Sequence, residues 1–403
     1  MRRRTATFPK DRCATRTEIG NNRLPSFSES VASIMSKPQV VLVLQGGGAL
    51  GAYQGGAFSG LAQFGSEIDW VVGTSIGAIN GAIIAGNPPG ARVAQLKGFW
   101  DHVASDGPAL LPHFGTADWL RPWTNATRTL ETLSQGVPGF FRPRPGAIWD
   151  LGRAVRPSDA SFYDTSPLEA TLNQFVDFDY LNAGHVRLTV CAVNVVTGEF
   201  KRFDNSDGTR ITARHVMASG ALPPGFPPVE IDGAVYWDGG IYSNTPIDIV
   251  LDDAERRDTL CFMVDLWDPT EIAPTSIAAA MTRQKDIQYA SRSREHLEDH
   301  RTMQNLRHAI RALSGRIPAD LQASPELRRL AALGCESTIN IVRLIMKAMP
   351  EDDYLKDIDF SRATLAARWD AGHRDAGRAL HHKSWLKPLP PDLGMVIHEL
   401  PQE

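Results

Sequence analysis

The sequence predicts an α/β fold with a mostly parallel central sheet, and three observations predict it. Short, wholly apolar runs alternate with helix-compatible segments, as in a sheet covered on both faces. Two of those runs break into glycine clusters that open helices. After Asp265 the chain becomes dense in charge and helical in composition. The expected organisation is a basic tail without structure over residues 1–37, an α/β domain over 38–266, and a mainly helical C-terminal extension over 267–403.

The first strand is Gln39-Val40-Val41-Leu42-Val43-Leu44, a run with no polar face and therefore buried on both sides. It ends in Gly46-Gly47-Gly48-Ala49-Leu50-Gly51, and Ala52 to Leu61 continues as helix. A glycine turn at a helix N-terminus points backbone N–H groups at whatever negative charge approaches. An acyl-transfer enzyme uses such a loop to hold an oxyanion; a dinucleotide enzyme uses it to hold a pyrophosphate. Gly46-x-Gly48-x-x-Gly51 fits the second pattern, and Glu67 and Asp69 lie near the distance of a ribose-binding acid. That acid belongs at the end of the second strand, however, and here both acids precede it.

The second strand, Ile68 to Val72, delivers Gly73-Thr74-Ser75-Ile76-Gly77 instead. A Gly-x-Ser-x-Gly between a strand and a helix is a nucleophile elbow, whose glycines clear the space around the serine hydroxyl. The bland reading is that Ser75 only caps the following helix. Ala78 to Ala85 is small and apolar, as a buried helix requires.

Residues 101–166 form a long excursion with seven prolines and Trp119, Trp123 and Trp149. It reads equally as a lid or acyl-chain wall over Ser75 and as aromatic packing on the core. Asp164-Thr165-Ser166-Pro167 starts a helix, Val186 to Val196 is a strand, Thr197-Gly198 a turn, and Glu199 to Phe203 its return. Asp232-Gly233 joins Val229–Ile231 to Ala234–Tyr236 as a two-residue hairpin. Asp238 comes next at the strand's end, before Gly239 and Gly240. A carboxylate there can accept a serine proton if burial raises its pKa, although Asp-Gly also begins ordinary turns.

Taken in order, Gly46–Gly51, Gly73–Gly77 and Asp238-Gly239-Gly240 resemble the patatin-like phospholipase family, over about residues 38–250. Ala218 to Val229 is similar to the segment that precedes that family's aspartate, and Asn244-Thr245-Pro246 to the segment just after it. The resemblance implies a three-layer α/β/α core and a lipid acyl hydrolase with a Ser–Asp dyad and an acyl-enzyme. Ser75 would be the nucleophile and Asp238 the proton acceptor. The oxyanion hole would come from the loop of Gly46, Gly47, Gly48 and Gly51, chiefly Gly47 and Gly48, with Gly73, Gly77, Gly239 and Gly240 as elbow and support. It implies a lipid or other acyl-ester substrate and no metal or organic cofactor. Many members carry a Lys or Arg in or just after the glycine loop, where this chain has Leu50 and Ala52. That departure raises a carboxylesterase or depolymerase on non-phospholipid esters as an alternative. A nucleotide-binding regulatory protein using only the glycine loop is the alternative from another class.

A Ser–His–Asp hydrolase would need a histidine after its acid. His296, His300, His308, His373, His381, His382 and His398 come after Asp238, none at a strand end beside small residues. His296 and His300 fall on a charged helical stretch and read as a solvated face; no Glu directly after His296 makes a metalloprotease motif. In the extension, Ser337 to Met349 reads as an amphipathic helix with Ile339, Val342, Ile345, Met346 and Met349 on one face, and Ser361 to His382 as a last helix. This half is similar to an extension of unassigned role in one bacterial subgroup of the family.

A net charge of -4 argues against a nucleic-acid partner. Cys13, Cys191, Cys261 and Cys335 are scattered, and two sit in strands, so they read as thiols of a reducing compartment. No run approaches the length of a membrane span, and the basic N-terminus has no apolar core behind it. The expected location is cytoplasmic, with transient membrane-surface contact and homo-oligomerisation left open.

Overall fold

Alternate residues of the first strand bury on opposite sides, and that places helices on both faces of the sheet. The structure is a computed structural model, describing residues 37–399 apart from 66, 106–131, 148, 150, 319–320, 322–323, 350–351, 383, 388 and 391–392. The tail expected over 1–37 (all but its last residue) and the section of the excursion with Trp119 and Trp123 lie outside the described residues.

In chain order the strands are β1 (Gln39–Leu44), β2 (Trp70–Thr74), β3 (Arg142–Pro143), β4 (Tyr163–Asp164), β5 (Arg187–Asn194), β6 (Phe200–Asp204), β7 (Val229–Ile231), β8 (Ala234–Asp238), β9 (Thr259–Asp265), β10 (Ile339–Ile345) and β11 (Met395–Glu399). The main sheet runs β11-β10-β9-β1-β2-β5-β8-β7, with β6 also on β5. From β11 to β5 every pairing is parallel; β6, β7 and β8 join antiparallel.

Val40, Leu42 and Leu44 enter a core shared with the helices Gly51–Leu61, Ile76–Ala85 and Arg362–His382. Val41 and Val43 enter the opposite one, with Ile247, Ile249 and Val250 of the helix Ile247–Leu251 and Leu297 of the helix Ile277–Ser314. Three layers result, as expected for strands that are apolar throughout. The helix Ile76–Ala85 is buried on every residue, which its all-round apolar sequence required.

The C-terminal extension is mainly helical but does not stand apart. Ser337–Met349, expected as an amphipathic helix, contains β10, which pairs with β9 from Ile339 opposite Thr259 to Ile345 opposite Asp265. In a doubly buried strand the apolar residues are nearly continuous, so a helical spacing is contained within them by accident; β-branching at Ile339, Ile341, Val342 and Ile345 was the better guide. β11 then extends the same sheet, which therefore crosses the expected boundary at 266.

The helix Arg362–His382 lies directly on Gly51–Leu61. A Cβ at Gly56 would come within 1.8 Å of the Trp369 carbonyl oxygen, and one at Gly372 within 2.0 Å of the Tyr53 carbonyl oxygen. Glycines of the first helix thus serve this close crossing. Among the described residues no helix is long and apolar enough to cross a membrane.

Candidate active site

Strand register brings the site together. β1 and β2 are adjacent, with Leu44 opposite Gly73, so the glycine loop and Ser75 leave the sheet side by side. β2 pairs with β5, Thr74 opposite Cys191, and β8 returns along β5 with Asp238 opposite Ala192. Ser75 and Asp238 therefore reach the same level of the sheet from strands that flank β5. The Asp232-Gly233 turn sets that return: both residues have positive φ, 51° and 79°, as this hairpin type demands.

Ser75 has φ 57° and ψ −124° at the start of the helix Ile76–Ala85. Among the described residues only Asp232 shares a positive φ with it outside glycine. A strained, over-determined serine between strand and helix is the geometry of an elbow. Its side chain lies close enough to the buried Asp238 carboxyl to lower that group's pKa, and the carboxyl accepts the Gly240 N–H at 2.7 Å. Burial pushes the Asp238 carboxyl up to about 7, against the lowering effect of the nearby Ser75 side chain and of the Gly240 N–H. A group poised there can take and return a proton near neutral pH.

The elbow is held from behind by Ser219, which sequence reasoning did not single out. The Ser75 N–H donates to the buried Ser219 Oγ at 3.0 Å. Ser219→Ala leaves a buried amide unpartnered at a strained residue, and kcat is expected to fall roughly tenfold to a hundredfold. Ester-hydrolysis kinetics on the folded variant would check this positioning role, and restoration by Ser219→Thr would separate it from general damage.

The glycine loop divides its amides. The Gly46 N–H is committed to the Asn244 carbonyl at 3.0 Å, and the Gly51 N–H turns back to the carbonyls of Gly48 and Ala49. Both were expected among the oxyanion donors, and neither amide is free for that. Gly47 and Gly48 border the cavity with Ser75. Gly48 has φ +55°, and a Cβ there would meet the Asp357 carbonyl oxygen at 2.3 Å. Gly77 abuts the Leu44 carbonyl and Gly239 the Cys191 carbonyl, both too close for a side chain. Gly73 crowds the Gly77 backbone, and Gly240 stands beside Asp238 and Asn244.

A buried amide relay fixes the loop from below. Gln54 donates to the Gln45 carbonyl at 2.7 Å, Asn80 donates to Gln54 Oε1 at 2.9 Å and to the Gly51 carbonyl at 3.0 Å, and Trp100 Nε1 donates to Asn80 Oδ1 at 3.1 Å. The Gln45 amide in turn donates to Thr245 Oγ1 at 2.6 Å and accepts from the Trp267 N–H at 3.1 Å. Satisfied networks of this kind rigidify what they touch. A signal for them exists in the sequence: Gln54 and Asn80 are each the single side-chain amide of a helix made mostly of small and apolar residues. From above, Asn244 and Trp267 both donate to the Gly46 carbonyl, at 3.1 and 2.8 Å.

Ser75 and Asp238 open into a cavity of about 280 Å³. Its wall is aromatic: Phe140, Phe141, Tyr163, Phe226 and Phe360 line it and pack on one another, with Phe141 4.8 Å from Tyr163 and 5.1 Å from Phe226 between ring centres. Three of the five come from the 101–166 excursion, whose described part therefore forms cavity wall. Phe360, with Asp357 and Ile358, comes from the C-terminal extension. No lysine, arginine or histidine is among the described residues that line the cavity; His113 lies outside the described residues.

Four of the histidines that follow Asp238 are engaged elsewhere. His296 and His300, expected on a solvated face, both pair with Asp248, at 3.0 and 3.5 Å. Tertiary packing of the helix Ile247–Leu251 supplies that carboxylate, invisible in the local charge pattern. It lowers the Asp248 pKa and raises that of His300. His308 donates to the Ser337 carbonyl and His373 bonds Ser59. Cys191, Cys261 and Cys335 are buried free thiols, and burial pushes Cys191 up to about 12. Among the described residues no group of side chains could hold a metal ion.

A family model described as patatin-like phospholipase matches residues 42–251, and a second, described as patatin phospholipase, matches residues 287–392. The chain is 25% identical over 230 residues to patatin-like phospholipase domain-containing protein 7 of Rattus norvegicus, covering 57% of this chain and 14% of that protein. It is 26% identical over the same length to domain-containing protein 6 of Homo sapiens, covering 57% and 13%. The chain thus spans about a seventh of the length of these curated relatives. Among solved structures, VipD from Legionella pneumophila aligns at 15% identity and a TM-score of 0.38, covering 86% of this chain and 67% of that one. Human GIVD cytosolic phospholipase A2 aligns at 11% identity and a TM-score of 0.35, covering 87% and 60%.

Proposed function

This chain belongs to the patatin-like phospholipase family, and from that premise we propose that it is a serine hydrolase of lipid carboxylic esters working through Ser75 and Asp238. The observation that carries the reading is the Ser75 side chain set against a buried carboxyl whose pKa burial raises to about 7. Asp238 accepts the hydroxyl proton as Ser75 Oγ attacks the ester carbonyl carbon. The carbonyl oxygen becomes an oxyanion, which the Gly47 and Gly48 amides stabilise. Collapse breaks the ester C–O bond, Asp238 returns the proton to the departing alkoxide, and the acyl group stays on Ser75. A water then attacks the acyl-enzyme, Asp238 takes its proton, and the fatty acid leaves as the proton passes back to Ser75 Oγ. The aromatic wall would hold the acyl chain, because apolar surface is what that wall offers.

Within this chemistry the alternative of a carboxylesterase or depolymerase on non-phospholipid esters rests on the glycine loop. Leu50 and Ala52 stand where many members have a cation. The nucleotide-binding alternative finds no support, since no ribose-binding acid ends β2 and the cavity wall is aromatic.

A fluorophosphonate probe tests the reading directly. The folded wild-type protein should become labelled at Ser75, and Ser75→Ala should not, with the adduct located by peptide mass. Absence of labelling in folded wild-type protein would sink the hydrolase proposal.

A further inference from the structure

An arm of the chain is rooted in the cavity wall and ends in exposed apolar side chains. β3 and β4 pair antiparallel, Arg142 opposite Asp164 and Pro143 opposite Tyr163. Phe141, next to β3, and Tyr163, in β4, both line the cavity. The returning limb is tied to a second part of that wall: the Phe162 N–H donates to the Pro224 carbonyl at 3.0 Å and the Tyr163 N–H to the Gly225 carbonyl at 2.9 Å. Arg144 braces the base, donating to Ser161 Oγ at 3.1 Å and to the Ser158 carbonyl at 3.0 Å.

Beyond this braced base the arm presents what a water-facing loop ordinarily lacks. Trp149 is 85% exposed and Leu151 77% exposed, with Val155 exposed as well. Single exposed hydrophobes are commonplace, but a tryptophan and a leucine two residues apart on one short tip are not. Arg153 and Arg156 stand exposed beside them, Arg156 with its Nε paired to Asp159 at 2.9 Å and the rest of its guanidinium outward, in a chain whose net charge is -4. Leu133 and Leu222, which line the cavity, are themselves 42% and 38% exposed, so the apolar lining continues to the surface. Tryptophan suits the boundary between headgroups and acyl chains, and arginine is drawn to an anionic leaflet.

We infer that the described residues of the arm 144–162 (all but 148 and 150) form a docking element for an anionic lipid surface, with Trp149 and Leu151 entering the interface and Arg153 and Arg156 facing the headgroups. The inference deepens the hydrolase reading and rests on it for its purpose: docking would set the cavity mouth against its substrate. Burial of two such side chains sets the strength of the attachment, and the arginines set its preference for negative charge.

The test uses the full chain and sucrose-loaded vesicles, one set of phosphatidylcholine alone and one with about 30% phosphatidylglycerol, the anionic lipid that supplies the surface potential. Wild-type protein should sediment with the anionic vesicles. Trp149→Ala with Leu151→Ala should lower that partition roughly tenfold or more, and should leave hydrolysis of soluble p-nitrophenyl butyrate unchanged. Arg153→Gln with Arg156→Gln should weaken binding to anionic vesicles and not to phosphatidylcholine. Partition of the Trp149/Leu151 variant equal to wild type would overturn the inference, as would wild-type protein that fails to sediment. So would a wild-type dimer that the same pair of changes dissolves without any vesicle binding. Sedimentation is read without turnover, so a protein that binds vesicles but hydrolyses no ester would refute the hydrolase reading and leave the docking element standing.

Discussion

Asp238→Asn is expected to lower kcat by roughly a thousandfold or more, the cost of losing a general base and its nucleophile activation together, while making the protein more stable above neutral pH. The two effects share one cause. The Asp238 carboxyl is buried, and its pKa in the fold is about 7 against an ordinary 3.8. Between those values the folded chain holds a proton that the unfolded chain has released. This group's contribution to stability is therefore present below about pH 4 and is lost as pH rises through about 7. Above pH 7 the wild-type fold carries a buried charge that asparagine does not. The amide can still accept from the Gly240 N–H, so the substitution keeps the local geometry. Thermal unfolding should show the variant more stable at pH 8, by up to about 4 kcal/mol, with the difference gone near pH 4. In the wild type the same ionisation should make kcat/KM for a soluble ester rise with pH through an apparent pKa near 7. An Asn variant that turns over at near-normal rate would remove Asp238 from the chemistry.

Gly48→Ala is expected to be the other large effect, a loss of about a hundredfold or more in kcat with a smaller change in KM. Gly48 carries φ +55°, and its Cβ position lies 2.3 Å from a backbone oxygen of Asp357. A carbonyl of the main chain cannot swing away as a side-chain tip can, so either the glycine loop or the segment Lys356–Ile358 must shift. The left-handed backbone adds about 1–2 kcal/mol. A displaced loop no longer aims the Gly47 and Gly48 amides at a developing oxyanion, and removal of one such donor typically costs a hundredfold to a thousandfold. Because the ground-state ester gains little from these amides, KM should move less than kcat. Steady-state kinetics with a short-chain ester, alongside a melt, would check it. A Gly48→Ala enzyme with normal kcat would show that the loop amides do not hold the oxyanion.

The core elements are legible because their signals are local. β1, β2, β5 and β9 are runs of apolar, β-branched residues, and the Asp232-Gly233 hairpin declares itself in two residues. The order of glycine loop, elbow serine and aspartate is enough to gather the residues that the structure brings to one cavity. β10 passes for a helix because a strand buried on both faces has no period of its own, so any helical stripe can be found within it. His296 and His300 pass for a solvated face because their partner, Asp248, lies about fifty residues away in sequence. Ser219, Asn244, Trp267 and Asp357 touch the site only through hydrogen bonds and packing that span the chain.

By itself the sequence determined where the backbone must turn sharply, which strands bury both faces, and which hydroxyl and carboxyl stand at strand ends. Those features come from sterics and solvent exclusion acting over a few residues. Only the tertiary structure decided which loop amides are already committed to other carbonyls, that the Asp238 carboxyl is desolvated enough to titrate near 7, and that the C-terminal half supplies part of the cavity wall and extends the sheet. These depend on distance and dielectric between segments far apart along the chain, and no local pattern of residues encodes either.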